Sequence, residues 1–71
     1  MQYTVVLEKG ESSYGAYVPD LPGCIAAATS KEDALKLIKE AIEFHIEGLK
    51  EEGEEIPKPH CDFTHVEVNA A

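Results

Sequence analysis

Apolar and polar positions alternate with a period of two near both ends of the chain and recur every three to four residues in its middle, the marks of strands flanking a helix. Gln2–Glu8 sets Tyr3, Val5 and Leu7 on one face and Thr4, Val6 and Glu8 on the other. The short polar stretch Lys9–Ser13 then joins this strand to a second at Tyr14–Val18 as an antiparallel hairpin. A third strand is expected at Cys24–Ala28, although its run of alanines is a weak strand former. Ser30 opens the helix: its hydroxyl can cap the first turn, and Asp33 stands three residues on, an aspartate variant of the capping box. Leu35, Ile38, Ile42, Ile46 and Leu49 form the apolar stripe, with Ala34, Ala41 and His45 beside it. Leu37, Phe44 and Gly48 widen the apolar arc beyond what one small sheet needs, so part of it is expected to meet another subunit. Gly53 is the natural stop, and Pro57 and Pro59 force the next stretch to run extended. A fourth strand at Asp62–Val68, paired with the first, would complete a two-layer α+β domain of order β-β-β-α-β, with one domain spanning residues 1–71.

The chain turns on its most constrained segment, Tyr14–Cys24. Pro19 removes a backbone donor and ends the second strand. Asp20 can bond to the backbone of the turn, Pro22 presets the next φ, and Gly23 supplies the positive φ of a type II turn. Two strands are thus joined by a stiff elbow with Leu21 at its tip. Leu21 either projects as a preorganised anchor for a partner or folds back to seal the sheet edge.

The residues Tyr14, Ala16, Pro19, Asp20, Leu21, Pro22, Gly23 and Cys24 resemble the HicB antitoxin family. So do Ser30, Asp33, Ala34, Leu35, Ala41 and Ile42, and then Gly53, Glu54, Ile56, Pro57 and Pro59, in order and at family spacing. The resemblance covers nearly the whole chain. It implies a truncated ribonuclease H-like fold and a domain that captures a small basic HicA-like toxin, an RNA-cleaving protein. Full antitoxins of this kind usually continue into a DNA-binding segment; the sequence stops after the expected last strand, so operator binding is not expected.

Composition agrees with a binding protein. Six basic against fourteen acidic residues give a net charge of -8, which repels nucleic acid and suits a basic protein partner. Direct nucleic-acid binding is therefore not expected, and base stacking by Tyr14 and Tyr17 gives way to ordinary packing. At 71 residues the domain is near the lower size limit for a single core, so self-association as a dimer or tetramer is expected. Neither a signal peptide nor a membrane span is legible, which places the protein in the cytoplasm with Cys24 and Cys61 as free thiols.

Catalytic chemistry finds little support. Glu8, Asp20 and Asp62 are the acids a two-metal nuclease would need, but nothing in their spacing brings them together. His60, Cys61, Asp62 and His65 are zinc-type ligands, yet residues 60 and 61 would face opposite ways on a strand and the usual ligand spacing is missing. No motif marks Cys24 as an activated nucleophile. No catalytic residue, metal or cofactor is therefore expected. The expected function is non-catalytic neutralisation of a HicA-like toxin, with Asp20, Leu21, Glu40, Glu43 and Glu47 as the contact residues. The alternative is a self-assembling adaptor with no toxin partner.

Overall fold

A computed structural model describes residues 1–70. Three antiparallel strands, β1 (Val6–Lys9), β2 (Tyr14–Tyr17) and β3 (Ile25–Ala28), form a sheet in the order β1-β2-β3, followed by the helix α1 (Lys31–Glu51). The register places Leu7 opposite Ala16 and Ala16 opposite Ala26. That row faces α1; the alternate row, Val6, Tyr17 and Ile25, lies on the uncovered side.

β1 begins later than the expected Gln2 because its ladder runs out of partner. Continuing the register would set Thr4 opposite Pro19, which has no N–H to give. The elbow then closes with three backbone bonds: Val18 N–H to Cys24 O at 3.2 Å, Leu21 N–H to Val18 O at 3.1 Å, and Cys24 N–H to Leu21 O at 3.0 Å. Two turns follow one another. The second has Pro22 and Gly23 at its centre, and Gly23 takes φ +86°, as a type II turn demands.

The helix starts where its cap says it should. Ser30 Oγ accepts the N–H of Asp33 at 3.2 Å, and Glu32 and Asp33 lie in the first turn, where the positive end of the helix dipole favours them. At the other end Gly53 adopts φ +70° and its N–H bonds back to Lys50 O at 3.1 Å, a left-handed stop. The apolar stripe is rotated slightly from the expected one. Ala34 and Ile38 are buried and Ala41 and Ile42 pack against the core, whereas Leu35 is 41% exposed.

The core consists of Ala16, Val18, Leu21, Cys24 and Ile38, with Tyr3, Val5, Leu7, Ala26, Ala41 and Ile42 packed around it. Between an alanine-rich sheet and the helix, small side chains such as Ala16, Cys24 and Ala26 leave room for two large ones, Ile38 and one from the elbow. Leu21 is that residue and is completely buried. The elbow therefore curls inward, and Leu21 seals the sheet rather than projecting as a contact anchor.

The expected fourth strand at Asp62–Val68 does not form; residues 54–70 carry no regular secondary structure. The segment does return to the first strand's N-terminal approach, but through side chains: the Tyr3 hydroxyl donates to Pro57 O, and Thr4 Oγ1 donates to Cys61 O at 3.0 Å. Just before the expected strand, the backbone N–H groups of His60 and Cys61 are taken by Asp20. Beyond them, every residue from Asp62 to Ala70 is exposed. The radius of gyration is accordingly 14.3 Å, against about 11 Å for a compact chain of this length.

Candidate functional site

Two regions carry chemistry: the acidic outer face of α1 and the junction of the elbow with the C-terminal segment. On the helix, Glu40, Glu43 and Glu47 are all exposed, and steps of three and four residues set them in one row. Phe44 lies beside them, 80% exposed. An open groove lined by Ala27, Ala28, Thr29, Asp33, Lys36, Leu37 and Glu40 runs between β3 and the start of this face. An aromatic ring flanked by carboxylates can serve as an apolar anchor that is desolvated on contact while the acids set orientation.

Asp20 and Leu21, expected on that same surface, are not there. Both are buried, Asp20 at 3% exposure and Leu21 at none, because the double turn folds the tip of the elbow under the C-terminal segment. The acidic helix row and the elbow thus do separate work. Phe44, which the sequence shows only as a surplus apolar residue, is exposed beside that row; its place four residues from Glu40 and three from Glu47 was the signal that could have found it.

Asp20 is a clamp on the chain's own C-terminal segment. Its Oδ2 accepts the N–H of His60 and the N–H of Cys61, each at 3.1 Å, and its Oδ1 lies 2.8 Å from His60 Nδ1. The Cys61 thiol beside the carboxylate holds the acid below the usual aspartate range. Desolvation works against this, and the two backbone donors and the nearby imidazole add to it. The same proximity pushes the Cys61 thiol up, with burial acting in the same direction. Burial alone pushes up Cys24. Both cysteines are free, and both are held toward the unreactive protonated form.

Asp20, His60 and Cys61 also form a set of metal-type donors, their ligand atoms all within 4.8 Å of one another. Of the acids a nuclease would use, Asp20 is thus drawn to a histidine and a cysteine. Glu8, opposite Gly15, belongs to the sheet face turned away from α1, and Asp62 is exposed and bonds to the N–H of its own neighbour Phe63. His65 meets Phe63 edge to face rather than joining the cluster. Among the described residues no helix is long and apolar enough to cross a membrane.

Comparison with known proteins gives a consistent picture. A family model described as HicB-like antitoxin of bacterial toxin–antitoxin system matches residues 3–69. A UPF0150 protein of Thermoplasma acidophilum is 44% identical over 63 residues, covering 87% of this chain and 91% of its own. A 14.9 kDa protein from the rep–hol intergenic region of Haemophilus phage HP1 is 47% identical over 58 residues, covering 82% of this chain. The matched part is only 44% of the phage protein's length. Among solved structures, a chain of a HicA3 and HicB3 toxin–antitoxin complex superposes with a TM-score of 0.71 at 35% identity, covering 84% of this chain and 70% of that one.

Proposed function

Because the chain belongs to the HicB-like antitoxin family of bacterial toxin–antitoxin systems, we propose that it is a non-catalytic binding protein that neutralises a small, basic, HicA-like RNA-cleaving toxin. It does so by covering the surface through which that toxin holds RNA. The observation that carries this reading is the exposed row Glu40, Glu43 and Glu47 beside an exposed Phe44. A row of carboxylates on a rigid helix competes for the positive groups that would otherwise hold phosphates, and a net charge of -8 steers the two proteins together. The superposition on a chain of a HicA3 and HicB3 complex supports the choice of partner. The contact is assigned to the helix alone, since Asp20 and Leu21 are buried.

Co-expression with a basic HicA-like protein encoded beside it tests the reading. A complex that survives purification at low salt and weakens steeply as salt rises is expected, because exposed charge pairs are screened. A complex that is indifferent to salt, or absent at low salt, would count against it.

A specific observation also supports self-association. Phe63, Val66 and Val68 stand 71%, 76% and 74% exposed on a segment with strand-like alternation. Tyr17 and Ile25 are likewise uncovered on the outer side of the sheet. We place these surfaces in a homodimer or homotetramer, in which each copy covers the other's apolar residues. Light scattering at micromolar concentration measures this directly, and a strict monomer would contradict it.

A further inference from the structure

We propose that Asp20, His60 and Cys61 form a binding site for a zinc-type divalent metal ion that ties the C-terminal segment to the elbow. The sequence argued against zinc because neighbouring residues on a strand face opposite ways. That premise fails here: no strand forms at residues 60 and 61, so both side chains turn toward the elbow, and the third donor comes from forty residues earlier in the chain. The three ligand atoms lie within 4.8 Å of one another. One carboxylate oxygen, one imidazole nitrogen and one thiolate sulfur are a donor set that zinc accepts, with a fourth tetrahedral position left for water or another donor.

The geometry of Asp20 points independently to a missing partner. Its side chain is fully buried, and Oδ2 is well satisfied by two backbone N–H groups. Oδ1, in contrast, is buried with no hydrogen bond. His60 Nδ1 stands only 2.8 Å away, but the ring is not aligned to donate to it; the same nitrogen lies 3.3 Å from Lys58 O. Buried carboxylate oxygens are normally partnered, and one left bare beside an imidazole and a thiol is satisfied by a cation that all three share. His60 itself is 74% exposed, so its ring can turn toward the ion without disturbing the core. The two backbone bonds to Oδ2 hold the carboxylate in place in the way that outer hydrogen bonds orient metal ligands elsewhere.

Binding converts the Cys61 thiol to a thiolate bonded to the metal and releases its proton to solvent. The site does not depend on the antitoxin reading, because it uses none of the helix residues. Its consequence is local: with the ion bound, residues 57–63 are fixed to the elbow by coordination as well as by hydrogen bonds, and the segment beyond them gains a rigid root.

Cobalt(II) titration of the reduced, chelator-treated full chain provides the test. A thiolate-to-cobalt charge-transfer absorption that saturates at about one ion per chain is expected. Cys61→Ser should abolish that absorption, and adding zinc(II) should displace it. His60→Ala, at an exposed position that leaves the core alone, should weaken binding by at least about tenfold, while His65→Ala should leave it unchanged. Zinc should raise the thermal midpoint of the parent chain more than that of His60→Ala at the same concentration. No thiolate absorption at stoichiometric cobalt, or one that persists in Cys61→Ser, would overturn the site; so would equal affinity of His60→Ala and the parent.

Discussion

Two adjacent residues in the elbow, Asp20 and Leu21, hold the molecule together in different ways. Leu21 is, with Ile38, one of the two large buried side chains that make a core out of small neighbours such as Ala16 and Ala26. Truncating it leaves a void that a rigid double turn cannot collapse into. Leu21→Ala is therefore expected to cost about 2–5 kcal/mol in denaturant unfolding, whereas Leu35→Ala, at a half-exposed position, should stay within about 0.5 kcal/mol. Equal costs would mean that the helix is rotated from the orientation described. Asp20 acts through its charge. Its folded acid is held below its unfolded value, so the clamp on His60 and Cys61 is fully present above the ordinary aspartate value and is lost as pH falls through the lower, folded value. Amide exchange in metal-free protein should show both N–H groups protected to the same degree down to about pH 4, with protection lost only further down, as pH passes the lower folded value. Asp20→Ala should remove most of that protection at every pH, since both N–H groups bond to the one carboxylate oxygen that the substitution deletes. Protection that survives the substitution would show that something other than Asp20 holds the segment.

At the scale of elements, what could be read from the sequence was whatever depends on local chemistry. The hairpin, the type II turn at Pro22-Gly23, the Ser30 cap and the stop at Gly53 each rest on a few adjacent residues, and each is found. Ser30→Ala should lower stability by about 1 kcal/mol with the helix otherwise retained; no change would mean that Asp33 N–H finds another acceptor. The rotation of the helix stripe, the inward fold of Leu21 and the loss of the fourth strand were not legible, because each depends on residues distant in sequence. Alternation at Asp62–Val68 describes a segment suited to a sheet but says nothing about whether a free edge exists for it. Here β1 does keep a free outer edge, but Asp20 takes the amides of His60 and Cys61 just before the segment, and the chain returns to Tyr3 and Thr4 only at Pro57 and Cys61. The metal-type cluster was hidden for the same reason. His60 and Cys61 were visible as candidate ligands, but their third member lies in a turn forty residues away. The acidic row of the helix was legible from spacing; its apolar neighbour, Phe44, became clear only once the core had been shown not to claim it.

Over the whole molecule, charge and shape divide the labour. The core and elbow give a small rigid platform, one helix face is left acidic with a single exposed ring, and the C-terminal segment extends away with apolar side chains uncovered, making the longest dimension 52 Å. Among the described residues Glu8, Asp20 and Asp62 do not converge as nuclease chemistry would need, and the proposed function rests on the acidic helix face. The most direct test is inhibition of RNA cleavage by a HicA-like toxin as this protein is added, compared with a variant carrying Glu40→Lys, Glu43→Lys and Glu47→Lys. The parent is expected to stop cleavage at near-stoichiometric ratio, and the charge-reversed variant to need at least about tenfold more protein while keeping the parent's circular dichroism and thermal midpoint. Undiminished cleavage with the parent in excess, or equal inhibition by the folded variant, would contradict the assignment of that helix face to the toxin.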